Sequence, residues 1–144
     1  MKPSDLRLGN YVNFKNREDI DYCEVTDLSA SGGIYILRNF KYGEGDDQLE
    51  AIEDITGIPL TEAWLERLGL IKKYLENPFQ DGGYELDEKG NRWYSWVDDG
   101  AFNLEVQSDG QIWFEIYSNY AHLKYVHQLQ NLYYAVREKE LVIK

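Results

Sequence analysis

Cysteine, histidine and proline are all scarce in this chain. It holds one cysteine, Cys23, with two histidines and three prolines among 144 residues. A single cysteine cannot close an internal disulfide, and one thiol with two imidazoles cannot supply the four ligands of a structural zinc site. We therefore expect no metal site, and we expect Cys23 to be a small buried hydrophobic residue.

Long apolar runs and catalytic motifs are missing as well. No stretch approaches the roughly 18 apolar residues of a membrane-spanning helix, and residues 1–14 lack the apolar core of a secretory signal. The sequence contains no G-x-S-x-G elbow, no phosphate-binding loop, no H-E-x-x-H and no EF-hand spacing. These absences predict a cytoplasmic protein with no membrane partner and no cofactor, and they favour a protein that is not an enzyme.

Basic residues are outnumbered. Fifteen Lys and Arg against 26 Asp and Glu give a net charge of −11, which repels phosphate backbones and argues against direct nucleic-acid binding. Eight acids and no base lie between Lys41 and Arg67. This acidic run, Glu44 to Glu66, is either a solvated rim or a mimic of nucleic-acid phosphates that occupies a basic partner.

Short strand-forming runs dominate residues 1–58, and the 15% of aromatic residues in the chain can supply a core. The runs are Leu6–Phe14, Cys23–Leu28, Ile34–Leu37 and Gln48–Ile55. Gly32-Gly33 marks a hairpin between the second and third runs. Four short strands with tight turns predict a small, barrel-like, SH3-like lobe at the N-terminus.

A short helix is predicted after Pro59. Thr61 can cap its first turn, and Glu62 and Arg67 carry the charges that the helix dipole favours at each end. Gly69 follows as a left-handed terminator. The helix links the N-terminal lobe to the rest of a second region, residues 59–144.

Strand patterns return after this helix. They cover Ile71–Leu75, Tyr84–Leu86, Arg92–Val97, Phe102–Val106 and Ile112–Tyr117. To bury one face of the last two strands, Val106 must lie opposite Ile112, because a slip of one residue turns the other face inward. The pattern therefore predicts a three-residue loop, Ser108 to Gly110, with Gly110 at positive φ.

The period becomes helical from Lys124 to about Arg137. Six apolar residues share an arc of roughly 120°, the width of a face that packs on a core. They are Tyr125, Val126, Leu129, Leu132, Tyr133 and Val136. The whole chain is thus predicted to be α+β, with a C-terminal antiparallel sheet covered by this one helix.

The opposite side of the final helix carries His127, Gln130, Asn131 and Tyr134 and no charge. Exposed helix faces usually carry Glu and Lys, whereas interfaces are depleted of charge and enriched in Tyr. The leading hypothesis is that these four residues bind a protein partner or a second copy of the chain. The alternative is that a loop or the N-terminal lobe covers them.

The second half is also rich in aromatic residues, namely Trp93, Tyr94, Trp96, Trp113 and Tyr117. They could form a sugar-stacking platform, although Trp93 and Trp96 have opposite parity on one strand. A hydrolytic pair of carboxylates can be drawn from Asp98 or Asp99 with Glu105 or Glu115, but 26 acids supply such pairs by chance. Core and sheet-covering roles are favoured, and a carbohydrate-binding or hydrolytic protein remains an alternative.

Three stretches carry a family resemblance: Leu6–Val12, Ile58–Leu65 and Lys124–Ala135. In this order they resemble a family of small uncharacterised proteins encoded in the genomes, prophages and mobile elements of Bacteroides-type gut bacteria. The resemblance implies a source and no activity. It implies that His127, Gln128, Gln130 and Asn131 belong to the family signature. The chain lacks the family's small-residue and Gly ending after Ala135, so we expect its helix to extend further.

Overall fold

A computed structural model describes residues 5–15, 21–28, 34–39, 46–73, 89–96, 99–116 and 119–144. The chain divides into two compact units. The first unit combines residues 1–59 with 125–142, and the second combines 60–124 with 143–144. Each unit contains a five-stranded antiparallel sheet, and two α-helices accompany them, so the predicted α+β class is confirmed. The predicted Gly32-Gly33 turn and the strand Tyr84–Leu86 lie outside the described residues.

The sheet of the first unit has the strand order β4-β3-β2-β1-β5. Its strands are β1 (Tyr11–Phe14), β2 (Cys23–Leu28), β3 (Ile34–Asn39), β4 (Asp46–Ala51) and β5 (Ile55–Gly57). A 3₁₀ helix, Ile52–Asp54, divides the single strand predicted over Gln48–Ile55. Its two parts pair at opposite edges of the sheet, β4 with β3 and β5 with β1. The core contains Leu6, Val12, Phe14, Cys23, Val25 and Ile55.

The second unit begins with helix α1 (Glu62–Arg67) and holds the sheet β10-β9-β8-β7-β6. Its strands are β6 (Ile71–Lys73), β7 (Arg92–Trp96), β8 (Asp99–Val106), β9 (Ile112–Ile116) and β10 (Asn119–Leu123). One face of this sheet is apolar and buried, with Tyr94, Leu104 and Phe114 in one cross-strand row. Strand β10 was not predicted, because its polar sequence lacks an apolar alternation.

The β8–β9 hairpin has the predicted register. Val106 lies opposite Ile112, and the backbone N–H of Gln107 donates to the carbonyl of Gln111 at 2.9 Å. The loop is therefore Ser108 to Gly110, and Gly110 has a φ of +86°. The need to bury one face of both strands was enough to fix the loop length.

Helix α1 also follows its sequence signals. The hydroxyl of Thr61 accepts a hydrogen bond from the backbone N–H of Trp64 at 3.4 Å, and Gly69 has a φ of +80°. The carboxylate of Glu62 accepts from Arg92 Nε at 2.5 Å and from Tyr94 Oη at 3.1 Å. Through these bonds α1 contacts β7 of the second sheet.

The C-terminal helix α2 (Val126–Arg137) belongs to the first unit. The predicted regions, residues 1–58 and 59–144, divide close to the Pro59–Leu60 boundary of the two units, and the first unit also takes in residues 125–142. The helix does not extend beyond Arg137, because Glu138 adopts a left-handed conformation with a φ of 54°. No helix in the described part of the chain is long and apolar enough to cross a membrane.

Candidate functional site

The neutral side of α2 is mostly covered within its own unit. His127 is 3% exposed and Gln130 is fully buried, whereas Asn131 is half-buried and Tyr134 is 38% exposed. The expectation that all four face solvent is therefore wrong for His127 and Gln130. The buried face of α2 is therefore rotated from the predicted apolar arc toward His127 and Gln130. Within that arc Val136 is exposed, while Val126 and Leu129 are buried.

Gln130 makes three hydrogen bonds to backbone groups of its own unit. Its Oε1 accepts from the backbone N–H of Tyr11 at 2.7 Å. Its Nε2 donates to the carbonyls of Gly9 and Leu141, each at 3.0 Å. An amide is required here because an apolar side chain would leave these buried backbone groups without partners.

Asn131 and Tyr134 bind the same part of the chain. Asn131 accepts from Asn10 Nδ2 and donates to the carbonyl of Asp5, both at 2.9 Å. The guanidinium of Arg7 lies 3.6 Å from the centre of the Tyr134 ring, the geometry of a cation–π contact. The predicted partner-binding row therefore braces α2 against residues 5–11, which removes the structural basis of the leading hypothesis.

His127 is a buried imidazole on α2. Its ring stacks on that of Tyr125, with 5.6 Å between centroids and 10° between planes. Its Nδ1 has no hydrogen-bond partner among the described residues. Burial lowers the pKa of His127, and the nearby Asp5 carboxylate opposes that shift. His127 is thus a neutral side chain of the core at ordinary pH.

The acidic run is only partly an outward-facing rim. Glu53, Asp54 and Glu66 are exposed, and the side chains of Glu44 to Glu50 lie outside the described part of the structure. The carboxylate of Glu62 is neutralised by Arg92, whose hydrogen bond helps lower the pKa of Glu62 against the opposing effect of burial. Glu62 therefore serves the second unit's own packing.

The polar face of the second sheet has an ordered cross-strand row. Trp93 on β7 lies opposite Glu105 on β8, and Glu105 lies opposite Trp113 on β9. Trp113 in turn lies opposite His122 on β10. Directly opposed residues point to the same side of a sheet, so the two indoles flank one carboxylate on one face. This face is the reverse of the buried apolar face.

A cavity of about 630 Å³ lies over this row. Its lining includes the aromatic residues Trp93, Trp113 and Tyr120 and the polar residues Asn91, Glu105 and Gln107. Lys89 adds one cation to the lining. The cavity has a volume typical of small-molecule sites and combines apolar rings with a few polar groups, as such sites do.

Several contacts hold the cavity walls in place. Asn91 Nδ2 donates to Glu105 Oε1 at 2.5 Å, and Glu105 is only 9% exposed. The rings of Trp113 and His122 stack, with 4.8 Å between centroids and 17° between planes. Tyr120 is 54% exposed, and the charge of Glu115 raises the pKa of its hydroxyl, which therefore stays a neutral donor. These contacts position the Glu105 carboxylate and the Trp113 ring in the cavity wall.

The structure brings together only part of the predicted aromatic group. Trp93 and Trp113 share the polar face, while Tyr94 lies on the buried face. Tyr117 and the side chain of Trp96 lie outside the described residues. The predicted register places Val106 opposite Ile112. Moving one residue along each antiparallel strand places Glu105 opposite Trp113, so this pairing was already implied by the sequence.

Within the described ranges, no cluster of three or more His, Cys, Asp and Glu side chains is placed to hold a metal ion. Comparison of the chain with protein-family models, curated proteins and solved structures finds no match. The SH3-like character of the first sheet and the Bacteroides-type family resemblance therefore stay predictions.

Proposed function

We propose that this chain is a non-catalytic binding protein that takes a carbohydrate on the polar face of its second sheet. The observation that carries the proposal is the row Trp93, Glu105 and Trp113 beneath a cavity of about 630 Å³. This choice adopts the sugar-stacking alternative and narrows its five aromatic residues to Trp93 and Trp113.

The chemistry of the lining matches a sugar. A sugar ring presents apolar C–H groups on its faces and hydroxyls around its edge. Trp93 and one face of Trp113, whose other face stacks on His122, can cover the C–H groups, and the amides of Asn91 and Gln107 can pair with the hydroxyls as donors and acceptors. The Glu105 carboxylate adds a strong acceptor at the centre of the row.

The charges in the lining disfavour ionic ligands. Glu105 would repel a phosphate or carboxylate ligand and offset its attraction to Lys89, and Lys89 would repel a quaternary ammonium and offset its attraction to Glu105 and the aromatic rings. A neutral polyhydroxylated ligand avoids both penalties. The overall charge of −11 also repels the phosphate backbone of nucleic acid.

The lining favours binding over hydrolysis. Glycoside hydrolases generally use two carboxyl groups that flank the scissile bond. Among the described residues that line the cavity, Glu105 is the one acid, and Asn91 already donates a hydrogen bond to it. Such a carboxylate is suited to accept a ligand hydroxyl.

The test is calorimetric titration of the full chain with cello-, malto- and chito-oligosaccharides, together with Trp93→Ala, Trp113→Ala and the matched control Tyr134→Ala. We expect one oligosaccharide series to bind, at least tenfold more weakly to either Trp variant and equally to the control. Unchanged thermal melting of the Trp variants would show that the loss is local. Absence of binding to every series, or binding that ignores both Trp substitutions, would overturn the proposal. Release of new reducing ends would overturn its non-catalytic part.

We propose in addition that the chain is a cytoplasmic member of the Bacteroides-type family. The three sequence stretches support this proposal. The first and third stretches also contact each other, through hydrogen bonds from Gln130 and Asn131 to residues 5–11. Sequencing of the genomic region that encodes the chain tests this origin. A source outside those bacteria, their prophages and their mobile elements would contradict it.

A further inference from the structure

Building on the proposed carbohydrate binding, we infer that the site takes an oligosaccharide of two or three sugar units laid across the strands, rather than a single sugar. The relation between Trp93 and Trp113 supports this. They occupy strands β7 and β9, with one strand between them. Neighbouring strands lie about 4.8 Å apart, so the two backbone positions are separated by about 10 Å.

One sugar ring cannot use both indoles from such positions. Stacking places one ring face against one aromatic face, and the Glu105 side chain stands between the two Trp residues in the row. Two separate sugar units, one on each indole, use both rings. The bond between the units would then lie near Glu105.

The polar groups lie on both sides of this row. Asn91 directly precedes β7 and Gln107 directly follows β8, each two residues from Trp93 or Glu105, and both line the cavity. Tyr120 is two residues from His122 and lies on the other side of the row. A glycan chain running along the tryptophans would therefore meet hydrogen-bonding groups along both of its edges.

The cavity also limits the length of the chain. Its volume of about 630 Å³ is in the middle of the range for drug-sized ligands and exceeds what one sugar ring needs. The row continues to Lys73 on β6 and His122 on β10. Neither residue is part of the cavity lining, so within this row the cavity lies over the three central strands, and Tyr120 of the edge strand β10 borders it.

The experiment is a length series. The full chain is titrated with cello-, malto- and chito-oligosaccharides of one to six units, and affinity is compared at each length. We expect at least a tenfold gain in affinity between one and three units and less than a twofold gain from three to six. Equal affinity for one and three units would overturn the oligosaccharide inference alone. Absence of binding at any length would instead overturn the proposed function.

Variants separate the two stacking positions. Trp93→Ala should lower the affinity for the three-unit ligand by about tenfold, to the level of the single sugar, and Trp113→Ala should act similarly. Trp93→Phe and Trp113→Phe keep an aromatic ring and should restore most of the affinity, which also provides folded variants if an Ala substitution prevents folding. Tyr134→Ala is the control. Loss of affinity from only one of the two positions would contradict a chain that spans both.

Discussion

The buried amide of Gln130 accepts a hydrogen bond from the backbone N–H of Tyr11 at 2.7 Å and so joins helix α2 to strand β1. The same side chain donates to the carbonyls of Gly9 and Leu141. One residue thus satisfies three backbone groups from two distant segments. A neutral residue on a helix can serve this internal purpose as well as it can serve an interface.

Removal of this amide should be costly. Gln130→Ala leaves buried backbone groups without their partners, and each such group costs roughly 1–3 kcal/mol. We expect the free energy of unfolding to fall by about 3 kcal/mol or more, measured by urea denaturation. The matched control is Gln128→Ala. It removes the hydrogen bond that Gln128 accepts from the backbone N–H of Tyr125, a bond that is more exposed than those of Gln130. This variant should lower the free energy of unfolding by less than half as much. Equal losses from the two variants would contradict the bracing role of Gln130.

Acid should destabilise the first unit through His127. Its pKa in the folded chain lies below the ordinary value of about 6.5 because the imidazole is buried. The unfolded chain therefore binds a proton more readily, and stability falls as the pH drops below about 6.5 toward the lowered pKa. The measurement is the melting temperature at pH 7.5 and at pH 5.5.

Two variants isolate this contribution from that of the many carboxylates. His127→Gln should show a smaller drop in melting temperature between the two pH values, because the buried titrating group is gone. His122→Gln changes the other histidine, on the second sheet, and should keep the full drop. An identical pH dependence of His127→Gln and the unchanged chain would refute the prediction.

Glu138 should be replaceable by glycine with a gain in stability. It ends α2 in a left-handed conformation that costs an L-residue roughly 1 kcal/mol, and its anion lies at the negative end of the helix dipole. Glu138→Gly is expected to raise the free energy of unfolding by about 1 kcal/mol in urea titrations. Lys139→Gly, at a position without positive φ, should give no gain. A destabilising Glu138→Gly would show that its side chain has a compensating role.

Gly57 is needed because the ring of Tyr125 lies against it. An added Cβ would be 2.7 Å from two atoms of that ring and 3.1 Å from Cε1 of His127. We expect Gly57→Ala to lower the free energy of unfolding by about 1–3 kcal/mol, the range for an overpacked site. Combining it with Tyr125→Ala should recover part of that loss, since the nearest atoms are removed. Additive losses in the double variant would contradict this account.

Local features of the fold could be predicted from the sequence. Thr61 and Gly69 bounded α1 because capping depends on a few neighbouring residues. The pairing of Val106 with Ile112 could be predicted because alternate residues of each strand must place their apolar side chains on the same buried face. Strand β10 could not be predicted, because only its pairing with β9 reveals it.

The long-range features were out of reach for a different reason. Periodicity showed that α2 has two sides but could not show which elements cover them. The bonds from Gln130 and Asn131 to residues 5–11 join residues more than 110 positions apart, and nothing near either residue signals the pairing. The Trp93 and Trp113 row was within reach, since the predicted hairpin register already opposed Glu105 to Trp113.

The discontinuous make-up of the first unit has a consequence during translation. Strand β1 is synthesised before the segment that carries the amide satisfying Tyr11, and the two bonded residues are 119 positions apart. Completion of that unit must wait until the intervening polypeptide has been synthesised, because such distant contacts form only after a large loop is closed. The nascent strands β1 to β5 are therefore without α2 until its residues have been made.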